Sequence, residues 1–141
     1  TLFRSADDSG LEVDALGGRP GIYSARYGGP GLSDGERTAL LLRELGGTPP
    51  EKRSARFVCS ICCVFPGGRE IAAEGTCEGK IAFFPSGGGG FGYDPVFYVK
   101  EYNKTFAEMD AALKNRISHR GAALAAFVQK LREEGITDAH K

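Results

Sequence analysis

The chain has 141 residues, and its 18 Lys and Arg residues balance its 18 Asp and Glu residues, so the formal net charge is zero. Binding to nucleic acid or to an anionic membrane surface depends on excess positive charge, so the composition argues against both functions. The length suits one domain with a modest core, and the sequence has neither a long apolar run nor a signal-peptide pattern. We therefore expect a soluble, cytoplasmic, single-domain protein.

The start of the sequence is unusual. Residue 1 is Thr, and the only methionine is Met109. Because a natural chain normally begins with Met, we expect this sequence to be a fragment of a longer protein.

The first stretch that suggests chemistry is Asp7-Asp8-Ser9-Gly10. Neighbouring side chains of an extended segment point to opposite faces, so one carboxylate can enter a cleft while the other supports a turn. A carboxylate in a cleft suits Mg²⁺, which also takes water and substrate phosphates as ligands. The alternative is a solvated Asx turn. A short strand over residues 11–13 follows.

Two helices and a hairpin are predicted next. Residues 20–28 are compatible with a short helix that has Pro20 in its first turn. Ser33 and Glu36 form a capping-box pattern at the start of a second helix, which ends at Gly46. Its apolar stripe consists of Leu41, Leu42 and Leu45. Two extended runs, 55–65 and 69–84, predict a long antiparallel hairpin.

The four cysteines, Cys59, Cys62, Cys63 and Cys77, raise the alternative of a metal or redox protein. On a strand, Cys59 and Cys63 would share one face and Cys62 would take the other, so the three could not converge on one ion. Buried thiols that pack as small apolar groups are the better interpretation.

A glycine-rich segment, residues 85–95, follows the hairpin. Its composition alone would fit a flexible linker. However, it ends in Phe91-Gly92-Tyr93-Asp94, directly before an apolar run. Aromatic side chains placed beside a strand can form a stacking platform for a flat ligand. The Gly-Lys-Ser/Thr ending of a P-loop is absent, so phosphate binding of that type is not expected.

The C-terminal part predicts a short helix over residues 107–115 and a long helix that Ser118 caps. Lys114, His119 and Arg120 would lie near the start of the long helix, where cationic and donor groups favour an anionic or acceptor-rich ligand. The alternative is ordinary surface or core residues. An apolar stripe of Leu124, Phe127, Val128 and Leu131 would pack on the core.

Three stretches together resemble one family. They are Ala6-Asp7-Asp8-Ser9-Gly10-Leu11 with the segment 20–27, Gly90-Phe91-Gly92-Tyr93-Asp94-Pro95, and Lys104-Thr105-Phe106 followed by Lys114–Gly121. In this order they are similar to the inosine triphosphate pyrophosphatases, also called dITP/XTP diphosphatases. The resemblance implies an α/β fold with an elongated, mixed, twisted sheet, flanking helices and two lobes around a cleft.

The same resemblance implies an activity and its site. Members hydrolyse non-standard purine nucleoside triphosphates (dITP, ITP, XTP) to the monophosphate and pyrophosphate with Mg²⁺, typically as homodimers. Asp8 matches the catalytic proton acceptor at the metal. The expected substrate contacts are Ser9, Phe91, Gly92, Tyr93, Asp94, Lys114, His119 and Arg120. The family's N-terminal Ser/Thr-x-Asn-x-x-Lys loop has no counterpart here, so the chain is expected to lack that phosphate-binding segment. A catalytically inactive nucleotide-binding fragment is the alternative.

Overall fold

The computed structural model describes residues 4–135, which form one six-stranded sheet and three α-helices. The order across the sheet is β2-β1-β3-β4-β5-β6. The strands are β1 (Arg4–Val13), β2 (Pro20–Gly21), β3 (Ser54–Val64), β4 (Glu70–Ile81), β5 (Phe97–Val99) and β6 (Lys104–Thr105). The helices are α1 (Asp34–Glu44), α2 (Ala111–Ile117) and α3 (His119–Glu133). The predicted α/β class is confirmed, but every pairing between described strands is antiparallel, so this part of the sheet is not mixed as expected.

The predicted hairpin is the centre of the sheet. β3 and β4 pair without interruption from Ser54 opposite Lys80 to Val64 opposite Glu70. Burial alternates along β4, as the period of a strand with one covered face requires. The pairing stays continuous through Gly75 and Gly79.

The first strand is longer than predicted. β1 begins at Arg4 and pairs with β3 along its whole length, with Asp8 opposite Ser60 and Ser9 opposite Cys59. The sequence had indicated a strand only at residues 11–13, because the polar residues before them resemble a turn. Pairing with the apolar hairpin overrides that local preference, so Asp8 and Ser9 lie inside a strand.

The segment after β1 also differs from the prediction. Pro20–Gly21 forms β2, which pairs with β1 at Leu11 and Glu12, and only Ser24–Arg26 forms a 3₁₀ turn. The predicted short helix over residues 20–28 is therefore wrong. The Ser24 hydroxyl accepts a hydrogen bond from Leu11 N at 2.8 Å, which ties this segment to β1.

Helix α1 begins where the sequence indicated. Ser33 is its N-cap, and the capping box is complete because Glu36 N donates to Ser33 Oγ and Ser33 N donates to the Glu36 carboxylate. Leu41 and Leu45 are fully buried in the main core. This core lies between the sheet, α1 and the segments that carry Phe97 and Phe106.

Helix α3 packs on β3 and β4 and is capped by Ser118, as predicted. Gly75 makes the close approach possible, because a Cβ there would lie 2.1 Å from Ala123 N. Ala123 and Phe127 are buried, but Leu124 is 56% exposed. The placement of Leu124 in the core-facing stripe was therefore wrong. Within residues 4–135, no helix has the length and apolar character needed to cross a membrane.

Candidate active site

A cavity of about 640 Å³ opens beside β1 and the N-terminal ends of α1 and α3. Its volume falls in the range of roughly 300–1,000 Å³ that small-molecule sites occupy. Six parts of the chain line it: β1 at residues 9–11, the turn at Ser24 and Ala25, the start of α1, β3 at Phe57, the end of the glycine-rich segment, and the stretch from Lys114 to Leu124 across the α2–α3 junction. Most of these residues are far apart in sequence, and the fold brings them together.

Eight of the nine predicted site residues line this cavity: Ser9, Phe91, Gly92, Tyr93, Asp94, Lys114, His119 and Arg120. Asp8 does not line it. The Asp8 side chain is exposed, and it pairs across the sheet with Ser60, whose own partner on β4 is Glu74. Because side chains alternate along a strand, Asp8 and Ser9 point to opposite faces of the sheet.

Ser9, near the start of the described chain, contacts His119, near its end, at the cavity wall. Ser9 Oγ lies 2.5 Å from His119 Nε2. The imidazole is only 8% exposed and stacks on the Phe57 ring, with 4.7 Å between the ring centroids. His119 is the first residue of α3, so the strand–helix packing described above fixes where its ring lies.

A second group of contacts organises the end of the glycine-rich segment. Lys114 Nζ lies 2.5 Å from Asp94 Oδ2, and the same carboxylate oxygen accepts a hydrogen bond from Phe91 N at 3.0 Å. Asp94 is 4% exposed. A buried carboxylate is stable only when it is paired and hydrogen-bonded, and here both conditions are met.

The Phe91 ring is held near two cations. Lys114 Nζ lies 4.6 Å from the ring centroid, and Arg120 Cζ lies 6.0 Å from it. The side chain is nevertheless 63% exposed. An exposed aromatic ring at a cavity wall, fixed by cation–π contacts, presents a flat surface to a ligand.

Tyr93 contributes its ring to the cavity, but its hydroxyl has a structural role. The Tyr93 hydroxyl donates to the Ser24 carbonyl at 2.6 Å. Burial raises the pKa of Tyr93 to about 12, so the phenol stays protonated at neutral pH. Tyr93 therefore joins the glycine-rich segment to the turn that follows β2.

Sequence reasoning missed several lining residues. Asp34 and Arg37 on α1, Ser24 after β2, and Phe57 on β3 all reach the cavity. The capping box located the start of α1, but no spacing in the sequence indicates that this helix meets the glycine-rich segment. Only the tertiary structure supplies that contact.

The cysteines lie away from this cavity. Cys59 and Cys63 are buried on one face of β3, and Cys62 is half-buried on the other, as predicted. Burial raises the pKa of the Cys77 thiol to about 11, which disfavours the reactive thiolate. Within residues 4–135, no three His, Cys, Asp or Glu side chains are grouped to hold a metal ion. The zinc and redox alternatives therefore gain no support.

The fold and cavity define an α/β protein with a site of small-molecule size beside β1 and the N-terminal ends of α1 and α3. Comparison with known proteins identifies the class further: the model of the Ham1 family matches residues 4–130. The chain therefore belongs to the Ham1 family, and the resemblance drawn from its motifs is confirmed.

Curated relatives carry informative names. The dITP/XTP pyrophosphatase of Geobacillus kaustophilus is 54% identical over 128 residues, which is 91% of this chain and 63% of the relative. That of Desulforamulus reducens is 58% identical over 126 residues, 89% of this chain and 63% of the relative. The chain thus spans 63% of the length of these two proteins.

Solved structures agree with the fold. The Ham1 protein of Staphylococcus aureus superposes with a TM-score of 0.89 at 45% identity, covering 94% of this chain and 68% of that one. A HAM1 protein from Coxiella burnetii gives a TM-score of 0.87 at 42% identity, with the same coverage.

Proposed function

We propose that this chain supplies the base-recognition part of a nucleoside triphosphate pyrophosphohydrolase, which converts dITP, ITP or XTP to the monophosphate and pyrophosphate. The observation that carries the proposal is the exposed Phe91 ring, which lies near Lys114 and Arg120 at the wall of the cavity. A purine would stack on this ring. The names of the relatives support the same activity.

Preference for a 6-keto purine follows from the donors at the cavity. The exposed Arg120 guanidinium is a donor without acceptor capacity, and it lies next to the buried His119. A 6-keto oxygen accepts hydrogen bonds, whereas the 6-amino group of adenine presents another donor. A site built for an acceptor discriminates strongly against a ligand that cannot provide one.

The phosphates would leave the cavity at Ser9 and pass across β1 toward Asp8. Only β2 pairs with the outer edge of β1 among the described residues, and it does so at Leu11 and Glu12. We infer that a ligand reaches the strand edge beside Ser9, where no described strand pairs with it. We infer that Asp8 accepts a proton from the attacking water, as the general base.

The predicted Mg²⁺ fits this arrangement. Mg²⁺ sites often use one or two carboxylates plus waters and substrate phosphates, and the exposed Asp8 would be one such carboxylate. When bound, the ion would offset charge on the phosphates and lower the pKa of the attacking water. Holding the ion and accepting the proton would thus both involve Asp8 on β1.

The predicted homodimer remains a proposal. Ile22 and Tyr23 are adjacent in the chain, and they are 74% and 56% exposed. Coverage by a second copy would remove such apolar surface from water. Light scattering coupled to size exclusion will measure the mass. A mass equal to one chain at micromolar concentration would contradict the dimer.

The activity is tested by measuring pyrophosphate and orthophosphate release from ITP, dITP, XTP and ATP with Mg²⁺. We expect pyrophosphate from the first three and much less from ATP. Arg120→Ala should erode the preference for ITP over ATP. Arg116→Ala is the matched control, because Arg116 is also exposed near this junction but does not line the cavity.

Three outcomes would contradict the proposal in different ways. Binding of ITP without pyrophosphate release would favour the alternative of a nucleotide-binding protein that lacks catalysis. Failure to bind any of the purine nucleotides would exclude both. Orthophosphate as the only product would assign cleavage to a different phosphate bond.

A further inference from the structure

The backbone of Gly92 is held from two sides by helix α1. Gly92 N donates to Asp34 Oδ2 at 2.9 Å, and Thr38 Oγ1 donates to the Gly92 carbonyl at 3.4 Å. Asp34 and Thr38 are four residues apart on the helix, so their side chains lie on one face. Together they form a clamp on a residue 58 positions from Asp34 in sequence.

The clamp acts at a point where the chain direction is set. Gly92 has φ of +59°, a left-handed conformation that glycine adopts without steric cost. Its neighbours Phe91 and Tyr93 both line the cavity. The preceding amide, Phe91 N, is held by Asp94 as described above. Two successive backbone donors are therefore each bound by a carboxylate, one from within the loop and one from α1.

We propose that Asp34 and Thr38 are positioning residues for purine recognition, which orient the Phe91 ring by fixing the Gly92 backbone. This inference rests on the proposed function, because it assigns the base to the Phe91 surface. Neither side chain needs to touch the purine. An unclamped Gly92 could adopt several conformations, and a ligand would then have to order the segment on binding.

A purely helical role for Asp34 is the competing explanation, since a carboxylate in the first turn interacts favourably with the helix dipole. The chain offers a matched control for this. Ser33 caps the same helix end, and Ser33→Ala removes that cap without removing a contact to Gly92. Ser33 also does not line the cavity.

The test uses Asp34→Ala, Asp34→Asn, Thr38→Val and Ser33→Ala in the whole chain. Amide hydrogen exchange at Gly92, followed by NMR, reports the clamp without any ligand. Calorimetry with IMP and with AMP reports recognition of the base, and thermal unfolding reports stability. Asparagine keeps a side-chain oxygen at position 34, so Asp34→Asn is the conservative rescue.

We expect Asp34→Ala to speed Gly92 exchange and to raise the Kd for IMP on the order of tenfold, the effect of losing one charge-assisted hydrogen bond. Thr38→Val should weaken IMP binding less, because the hydrogen bond from Thr38 to Gly92 is longer than the one from Gly92 to Asp34. Asp34→Asn should keep the Gly92 exchange rate and the Kd for IMP close to those of the unmodified chain. Ser33→Ala should lower Tm by a few degrees, with IMP affinity close to that of the unmodified chain.

Unchanged IMP affinity in Asp34→Ala, with normal binding by the unmodified chain, would overturn the inference and leave the proposed function intact. Equal losses in Ser33→Ala and Asp34→Ala would assign the effect to helix stability and overturn it as well. Failure of the unmodified chain to bind IMP would remove the proposed function, and with it any recognition role for the clamp.

Discussion

The Lys114 ammonium group contacts both the Asp94 carboxylate, at 2.5 Å, and the face of the Phe91 ring, 4.6 Å from its centroid. One side chain from α2 thereby fixes both the backbone and the aromatic ring at the end of the glycine-rich segment. The glycines before it permit the chain to turn, but this contact determines where the turn ends. The segment is an ordered wall of the cavity.

Replacement of Phe91 by alanine tests the stacking surface. Stacking of a base on an aromatic ring contributes about 1–3 kcal/mol, so Phe91→Ala should raise the KM for ITP by roughly 5- to 150-fold. Phe84→Ala is the control, because Phe84 is 69% exposed but lies outside the cavity. Steady-state kinetics with ITP decides the question. The same KM in both variants would place the base elsewhere.

Replacement of Asp8 by asparagine tests the proposed general base. The amide keeps the shape but can neither accept the proton nor bind a cation with a full charge, so kcat should fall about a hundredfold or more. Glu74→Gln is the control, since Glu74 is exposed two strands away from Asp8. Near-normal turnover of Asp8→Asn would remove Asp8 from the mechanism. An equal loss in Glu74→Gln would indicate a general effect of surface charge.

Gly75→Ala tests whether helix packing holds the site together. The new Cβ would lie 2.1 Å from Ala123 N and 2.5 Å from His119 O, so α3 must move away from β4. Overpacking of this kind costs about 1–3 kcal/mol of unfolding free energy. Because α3 begins at His119, nucleotide binding should weaken together with stability.

Urea unfolding and calorimetry with IMP measure the two effects of Gly75→Ala. Gly88→Ala provides the control, because a Cβ there meets no atom within 4 Å. An unchanged unfolding free energy in Gly75→Ala would show that α3 can accommodate a Cβ at position 75, and it would contradict this prediction.

The Asp14–Arg56 ion pair should stabilise the fold near neutral pH, and this stabilisation should be lost at acid pH. Arg56 donates to both carboxylate oxygens of Asp14, at 3.0 and 3.2 Å, and this pairing lowers the pKa of Asp14. A lowered folded-state pKa means that the stabilisation is complete above the unfolded-state value of about 3.9 and is lost as the pH falls through the folded-state value.

Asp14→Asn should therefore reduce the unfolding free energy near neutral pH by about 0.2–1 kcal/mol, the range for exposed ion pairs. The difference from the unmodified chain should stay constant down to about pH 4 and shrink below it. Urea titrations across this range measure the difference, and the Arg56→Gln background should reduce it to the part that the Ser54 hydrogen bond to Asp14 supplies. A difference that grows on acidification would contradict the assignment.

Local patterns in the sequence were sufficient wherever local physics decides the structure. The capping box at Ser33, the Ser118 cap and the alternation along the hairpin all predicted their elements. Prediction failed where contact with a segment distant in sequence determined the secondary structure. Residues 4–10 of β1 look like a polar turn until β3 pairs with them, and Pro20–Gly21 becomes a strand because β1 is beside it.

The site shows the same division. Phe91, Lys114 and Arg120 were identified because their residue types and motifs indicate ligand chemistry. Asp34 and Thr38 were missed because they contact the backbone of Gly92, which is distant in sequence. Their residue types alone do not indicate such a contact. Leu124 was misplaced because helical spacing does not determine which edge of an apolar stripe meets the sheet.

Ser9 and His119 are separated by 110 positions, yet their side chains touch. A ribosome must therefore release nearly all of the described chain before this contact can form, and no short peptide from the protein can reproduce the cavity. The proposed nucleotide binding would then stabilise only molecules in which the segments that carry Ser9 and His119 are docked. A ligand-induced rise in Tm would thus report completed folding, and the ligand would protect the finished protein against proteolysis.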